Sequence, residues 1–240
     1  MSDTPSKGRT DEHGRAFAGS QLQMQIYVNR HGHELTCAVI DAIDIDADAL
    51  QVTWVSPLEQ ERFKEYKDAA FLHALQLSQL RSLLAQFWPP GGPRWDALGI
   101  ISSLPKPQPV ILVEAKSNPN EVFSLGCRAS EQSRLLIEQS LARTRAWLGV
   151  ADAHSVTWTG SLYQYANRLA HLYFFREIVH IDAWLVNLYF MNDPRTPTSL
   201  AEWQWFVADM KNMLGLPAHI PYAVDVFLPA YNRDVLLSKP

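Results

Sequence analysis

The chain has 240 residues, 47% hydrophobic and 19% charged, with 8 Trp, which excludes a disordered or low-complexity protein and supplies apolar material for one sizeable core. Lys and Arg number 21 against 25 Asp and Glu, a net charge of -4, which argues against a broad, sequence-blind basic surface for nucleic acid but leaves room for a local basic groove. Cys37 and Cys127 are too few and too far apart for a disulfide framework or a cysteine-built zinc site, and with no apolar leader or bilayer-length run a cytoplasmic protein without membrane contact is expected.

Residues 1–18 are polar and aperiodic and read as a flexible tail, leaving 19–240 as a single domain. After Gln21, LQMQIYVN alternates as a short strand does, and in HELTCAVIDAI the residues Leu35, Ala38, Val39 and Ala42 recur at helical spacing. LQVTWVS, ending at Ser56, alternates β-branched and aromatic residues and predicts a strand. Ser56, Pro57 and Glu59 then have the form of a capping box with proline at the first helical position, so a helix is expected from there to about Phe87, broken near 68–77. WPPGGP at 88–93 ends it.

WDALGIISSL and PVILVEAKS predict a hairpin around 105–108, and the unbroken apolar run from Val110 to Val113 places its second strand at the centre of a sheet. An amphipathic helix follows over 130–147, with Leu135, Leu136, Ile137, Leu141 and Trp147 as apolar contacts and Gly149 as its stop. Then come a helix over 160–177, a second central strand AWLVNLYF stopped by Asn192-Asp193-Pro194, a helix over 199–214 and a last strand YAVDVFL. The order predicts an α/β to α+β fold, a small mixed sheet that opens on a meander and continues through helical crossovers.

The residues with chemical potential gather around the hairpin. Strand side chains alternate faces, so Glu114 and Lys116 point the same way, about 6.6 Å apart, while Val113 and Ala115 point into the other layer. Asp96 begins the antiparallel partner, and its carboxylate comes level with Glu114 at one end of the sheet. Two such carboxylates suit a hard, oxygen-preferring cation, and a neighbouring lysine can orient water or stabilise charge on a phosphate. The acids also repel, so replacing either by Ala is expected to leave stability unchanged or raised. An E-x-K pair alone is more often a solvated ion pair on an edge, but the four aliphatic residues before this one argue for burial. On the helix over 160–177, Gln164, Asn167, Arg168 and His171 fall at i, i+3, i+4 and i+7, a polar face without Glu or Lys that suits phosphate as well as solvent.

Pro93-Arg94-Trp95-Asp96, followed after 17 residues by Glu114-Ala115-Lys116, resembles the PD-(D/E)xK nuclease superfamily, with P-R-W-D standing for the P-D dipeptide. The superfamily core of helix, three-strand meander, helix and strand is similar to the order predicted over roughly 61–190. The resemblance implies a restriction-endonuclease-like mixed sheet with a β-meander flanked by helices. It also implies hydrolysis of phosphodiester bonds in nucleic acid with Mg²⁺ (or Mn²⁺), in which Asp96, Glu114 and the Ala115 carbonyl hold the metal and Lys116 positions the attacking water. RecB-type members carry Gln followed four residues later by Tyr on a helix beside the active site. Gln164 is similar, Arg168 stands in the Tyr position, and Gln164, Asn167 and Arg168 become substrate-binding residues.

Superfamily members often supply a further acid from the helix before the meander. Glu61, Glu65 and Asp68 would share a face of that helix, and Glu65, beside the apolar anchor Tyr66, is the residue chosen as an additional metal ligand. The alternative, which the net charge slightly favours, is a nuclease fold kept as a binding or interaction module without turnover. No separate DNA-reading domain is expected from this sequence, and specificity is expected to be structural or borrowed from a protein partner or a homo-oligomer.

Other signals are weaker. His31, His33 and Glu34 lack further metal ligands nearby in sequence. Asp44, Asp46 and Asp48 begin like a calcium loop, but Ala49 and Val55 occupy the glycine and glutamate positions. Patterns for serine hydrolases, P-loop NTPases and dinucleotide enzymes are absent. Trp203, Trp205 and Phe206 read as core.

Overall fold

Four aliphatic residues in a row leave a strand no polar face, and Val110 to Val113 are accordingly all fully buried at the centre of a sheet. The structure, a computed structural model, describes residues 8–43, 51–104, 107–151 and 154–238. In chain order its elements are α1 (Gly19–Arg30), α2 (Gly32–Ile43), β1 (Val52–Ser56), β2 (Tyr66–Lys67), α3 (Asp68–Ala74), α4 (Arg81–Phe87), β3 (Arg94–Trp95), β4 (Ala97–Ile101) and β5 (Val110–Lys116). They continue as α5 (Glu131–Leu148), α6 (Ser155–Thr159), α7 (Tyr163–Tyr173), β6 (Ala183–Met191), α8 (Leu200–Met213), β7 (Ala223–Pro229) and α9 (Asp234–Leu237).

The fold is α/β: a five-stranded mixed sheet in the order β1-β4-β5-β6-β7, flanked by helices, with β2 and β3 paired separately. Pairing is antiparallel up to β5 and parallel beyond it. Parallel neighbours need crossovers, which α5 to α7 and then α8 supply. An apolar layer covers each face. Leu98, Val110, Leu112 and Leu185 pack beneath α3 to α8, and Ala97, Ile111, Val113 and Leu188 pack against α1 and α2. By strand alternation Glu114 and Lys116 belong to the first of these faces.

Several local expectations are corrected. Residues 22–29, expected to be a strand, lie within helix α1. Every residue from Leu22 to Tyr27 is buried, so the one-sided periodicity that marks a surface helix is missing. Its two interior glutamines are satisfied by distant backbone: Gln23 donates to the Tyr231 carbonyl (2.9 Å), and Gln25 donates to the Gly14 carbonyl (3.0 Å) and accepts from the Ala16 N–H (2.8 Å).

The helix expected over 57–87 with a break near 68–77 is instead a short 3-10 turn, β2, α3, a second 3-10 turn and α4. Ser56 closes β1 and does not cap. Asn29 of α1 takes over the capping segment, donating to the Pro57 carbonyl and accepting from the Glu59 N–H, both at 2.8 Å. The same S-x-x-E pattern does form a capping box at Ser199 and Glu202, where no such competitor intervenes. On α5, Ile137 and Leu141 are buried as expected, but Leu135 is 62% exposed. Trp203 is core and Trp205, at 70% exposure, is not.

Part of the segment expected to be a flexible tail is folded against the domain, with Thr10 bridged to Ala16. Ala16 is fully buried, Arg233 pairs with Asp11 (2.9 Å), and the chain turns back at Gly14. Gly14 has φ +84°, and a Cβ there would lie 2.4 Å from the Arg62 carbonyl oxygen. Gly14→Ala is therefore expected to cost more than about 1 kcal/mol and to expose residues 8–18 to proteolysis, measurable by thermal melting and limited digestion. An unchanged digestion pattern would mean that this segment is not held as described.

Candidate functional site

Asp96 sits where the chain leaves β3 and enters β4, just outside the ladder that sets Ala97 opposite Val113. Its N–H donates to the Val113 carbonyl (3.1 Å), and its Oδ2 accepts from the Ala115 N–H (2.7 Å), which fixes the carboxyl beside the polar end of β5. From β5, Lys116 Nζ donates to Glu114 Oε1 (2.5 Å) and to Gln164 Oε1 on α7 (3.2 Å). The other Glu114 oxygen accepts from Arg168 Nε (2.6 Å) and Nη2 (2.5 Å). Asp96, Glu114, Lys116, Gln164 and Arg168 are thus brought together.

The α7 face meets Lys116 as its spacing requires, but it is closed to solvent. Asn167, Arg168 and His171 are buried, which corrects the expectation that Asn167 and Arg168 face substrate. Arg168 also donates to the Arg94 carbonyl (2.9 Å) and to Asn167 Oδ1 (2.6 Å), with its guanidinium 5.1 Å from the Trp95 ring centre. His171 donates from Nδ1 to the Asn167 carbonyl (2.8 Å) among Phe71, Trp88 and Trp95, and burial lowers its pKa to about 3, so it is a neutral core residue. Only Gln164 of the three predicted substrate-binding residues is partly exposed.

The two carboxyls differ in state. Burial and the neighbouring Glu114 push the Asp96 carboxyl well above the ordinary carboxylate range, and Glu65 adds to the effect. Burial also works against Glu114, but Arg168 and Lys116 outweigh it and hold Glu114 below its usual value. For Lys116, burial opposes the charge while Glu114 and Asp96 more than restore it, so the ammonium is kept protonated. This is a proton donor and a fixed charge, and at neutral pH it is not a base.

Glu65 lies in the loop before β2, so the helix face expected to join it with Glu61 and Asp68 does not exist. Asp68 instead holds the Gly91 and Gly92 N–H groups (3.1 and 2.9 Å). Glu65 is nevertheless half-buried and shares the field of the site. Burial raises its pKa, Arg94 opposes that, Glu114 adds to it, and Gln21 of α1 hydrogen-bonds the carboxylate.

Arg94 and Gln21 escaped the sequence reading, as did Asn187. In the parallel register Asn187 stands beside Glu114, and Asp225 stands beside Asn187. Asn187 is 2% exposed and donates to Asp225 Oδ1 (3.3 Å) and Tyr165 Oη (3.4 Å), while its own Oδ1 is without a protein partner. It borders a cavity of about 10 Å³, close to the size of one water, shared with Glu114, Lys116 and Gln164. The available signal was one amide inside the apolar run AWLVNLYF.

Among the described residues no group of three or more His, Cys, Asp or Glu is disposed to hold a metal ion. His31 stacks on Tyr231 (4.3 Å, 1°) and Glu34 accepts from the Tyr231 hydroxyl (3.0 Å), a packing role for these two residues. Asp44, Asp46 and Asp48 lie outside the described residues. Both cysteines are free thiols, and among the described residues no helix is long and apolar enough to cross a membrane. No protein-family model matches the chain, and no curated protein or solved structure is significantly similar to it.

Proposed function

We propose that the protein is a divalent-metal-dependent phosphodiesterase acting on nucleic acid, built on a restriction-endonuclease-like arrangement of β4, β5 and their flanking helices. The observation that carries this reading is the convergence of Asp96, Glu114 and Lys116 at one end of the central strands, with Asp96 driven toward protonation by burial and by Glu114. A site whose acids resist ionising together is suited to an added positive charge.

The donor set is all oxygen, which fits Mg²⁺ or Mn²⁺. Mg²⁺ characteristically binds one or two carboxylates and completes its shell with water and substrate phosphate, so a full cage of protein ligands is not required. Asp96, Glu114 and the Ala115 carbonyl would hold the ion, with Glu65 near enough to contribute to the field. When bound, the ion supplies Lewis acidity at the phosphate. Lys116, protonated, orients the water or steadies charge developing on a phosphate oxygen. Arg168 and Asn167 fix the Glu114 carboxylate, and Gln164 fixes Lys116 from the substrate side. A cytoplasmic setting suits the free thiols.

One observation favours a second reading, a nuclease fold retained as a binding module: both Glu114 oxygens are engaged by internal cations. Cleavage of single- and double-stranded DNA and RNA by the purified protein, with Mg²⁺ or Mn²⁺ and with EDTA, separates the two. Metal-dependent cleavage is expected. Lys116→Met should then lose on the order of 10²-fold or more in turnover while calorimetry shows Mn²⁺ affinity retained. Absence of both cleavage and metal binding would select the binding module.

A further inference from the structure

A second hollow lies at the free edge of the sheet, where α8 passes over β7. Its volume is about 270 Å³. Val207, Ala208 and Leu216 give it apolar walls, and Phe227, stacked on Tyr189 at 5.4 Å and 27°, gives it an aromatic surface. Into this hollow the chain sets an ion pair, Lys211 Nζ to Asp225 Oδ2 at 2.5 Å, with side chains only 11% and 16% exposed. Shielding such a pair from water is costly unless further polar partners complete it. Lys211 has three N–H groups and uses two, on Asp225 and on the Ala218 carbonyl. Asp225 accepts from Lys211 on one oxygen and, at 3.3 Å, from Asn187 on the other, which leaves acceptor capacity on both.

From this geometry we infer that the hollow is a binding site for a nucleobase, specifically guanine. The shielded ion pair presents one N–H donor beside two acceptor oxygens, next to an aromatic surface, while the other polar lining residues, Gln204 and Asn212, are exposed amides. The complement of the pair is a flat ring bearing one acceptor beside two adjacent donors. Among the common bases only guanine has that edge, O6 followed by N1–H and the 2-amino group. Adenine, cytosine and uracil each offer a single donor position on the corresponding edge. The volume, just under the range of roughly 300–1,000 Å³ for small-molecule sites, admits one base and little more. Lys211 and Asp225 cancel in charge and give phosphate no net attraction, so the base enters and the phosphate stays outside. This site is separate from the Lys116 cavity, and the inference does not depend on catalysis by the latter.

The test is calorimetric titration of the full chain in EDTA with GMP, AMP, CMP and UMP. GMP should bind saturably and about tenfold or more tightly than the other three, in line with the discrimination a bidentate base contact provides. Asp225→Asn should remove that preference. Because it also strips Lys211 of its counter-ion, Ala208→Trp, at an exposed position of α8 that borders the hollow, serves as the independent variant and should block GMP while keeping the wild-type melting temperature. Lys116→Met should bind GMP as the wild type does. Failure of all four nucleotides to saturate, an affinity order without GMP first, wild-type GMP affinity in Ala208→Trp, or loss of GMP binding in Lys116→Met would each overturn the assignment.

Discussion

Glu114→Gln is expected to lower stability by about 3–5 kcal/mol, because it leaves the shielded Lys116 and Arg168 without their counter-ion. For a chain of this size that is roughly 6–20 °C in melting temperature. For Glu114, whose neighbours are two cations as well as an acid, this replaces the expectation from sequence that removing either acid is harmless or stabilising. Arg168→Met should be similarly damaging, since it strips Glu114 Oε2 of both its donors. Combining the two substitutions should cost less than the sum, the signature of a direct pair. The sign with pH follows from the lowered Glu114 value: its contribution is present above the unfolded carboxyl value near 4.5 and is lost as pH falls through the still lower folded value. Calorimetric melts in EDTA read all three variants. A Glu114→Gln melting temperature within about 1 °C of wild type would mean that the clamp is not formed.

Asp96→Asn should move the other way. Its folded value is raised, so the stability it contributes is fully present below the unfolded value near 3.8 and drains away as pH rises through the folded one. Asn stays neutral, and its amide oxygen can still accept from the Ala115 N–H. In EDTA the variant should match wild type near pH 3.5 and exceed it at pH 8, by on the order of 1 kcal/mol or roughly 2–4 °C. Added Mn²⁺ should raise the melting temperature of wild type and leave Asp96→Asn unmoved. A pH-independent difference between the two would show that repulsion at Asp96 is not relieved by the substitution, and equal stabilisation by Mn²⁺ would remove Asp96 from the metal site.

These opposite signs show where local reading ends. The run VILVEAK determined its own place: four aliphatic residues require a strand covered on both faces, and alternation then forces Glu114 and Lys116 onto one side together. The hairpin with β4 and the position of Asp96 at its mouth followed from sequence separation and turn residues, which are local properties. So did β6, α8 and β7.

Tertiary structure decided which partner each polar group found. Arg168 turns inward because Glu114, 54 positions away in the chain, sits opposite it. Ser56 and Glu59 cap nothing because Asn29, 30 positions before Glu59, engages that segment first. α1 is wrapped on all sides by α2, α9 and β5, which erases the one-sided periodicity that would have marked it as a helix. Asn187 lies beside Glu114, and Asp225 beside Asn187, only through the register of two parallel pairings. Burial and charge pairing belong to neighbours in space, and the spacing of residues along one segment fixes its backbone form and its faces without naming those neighbours.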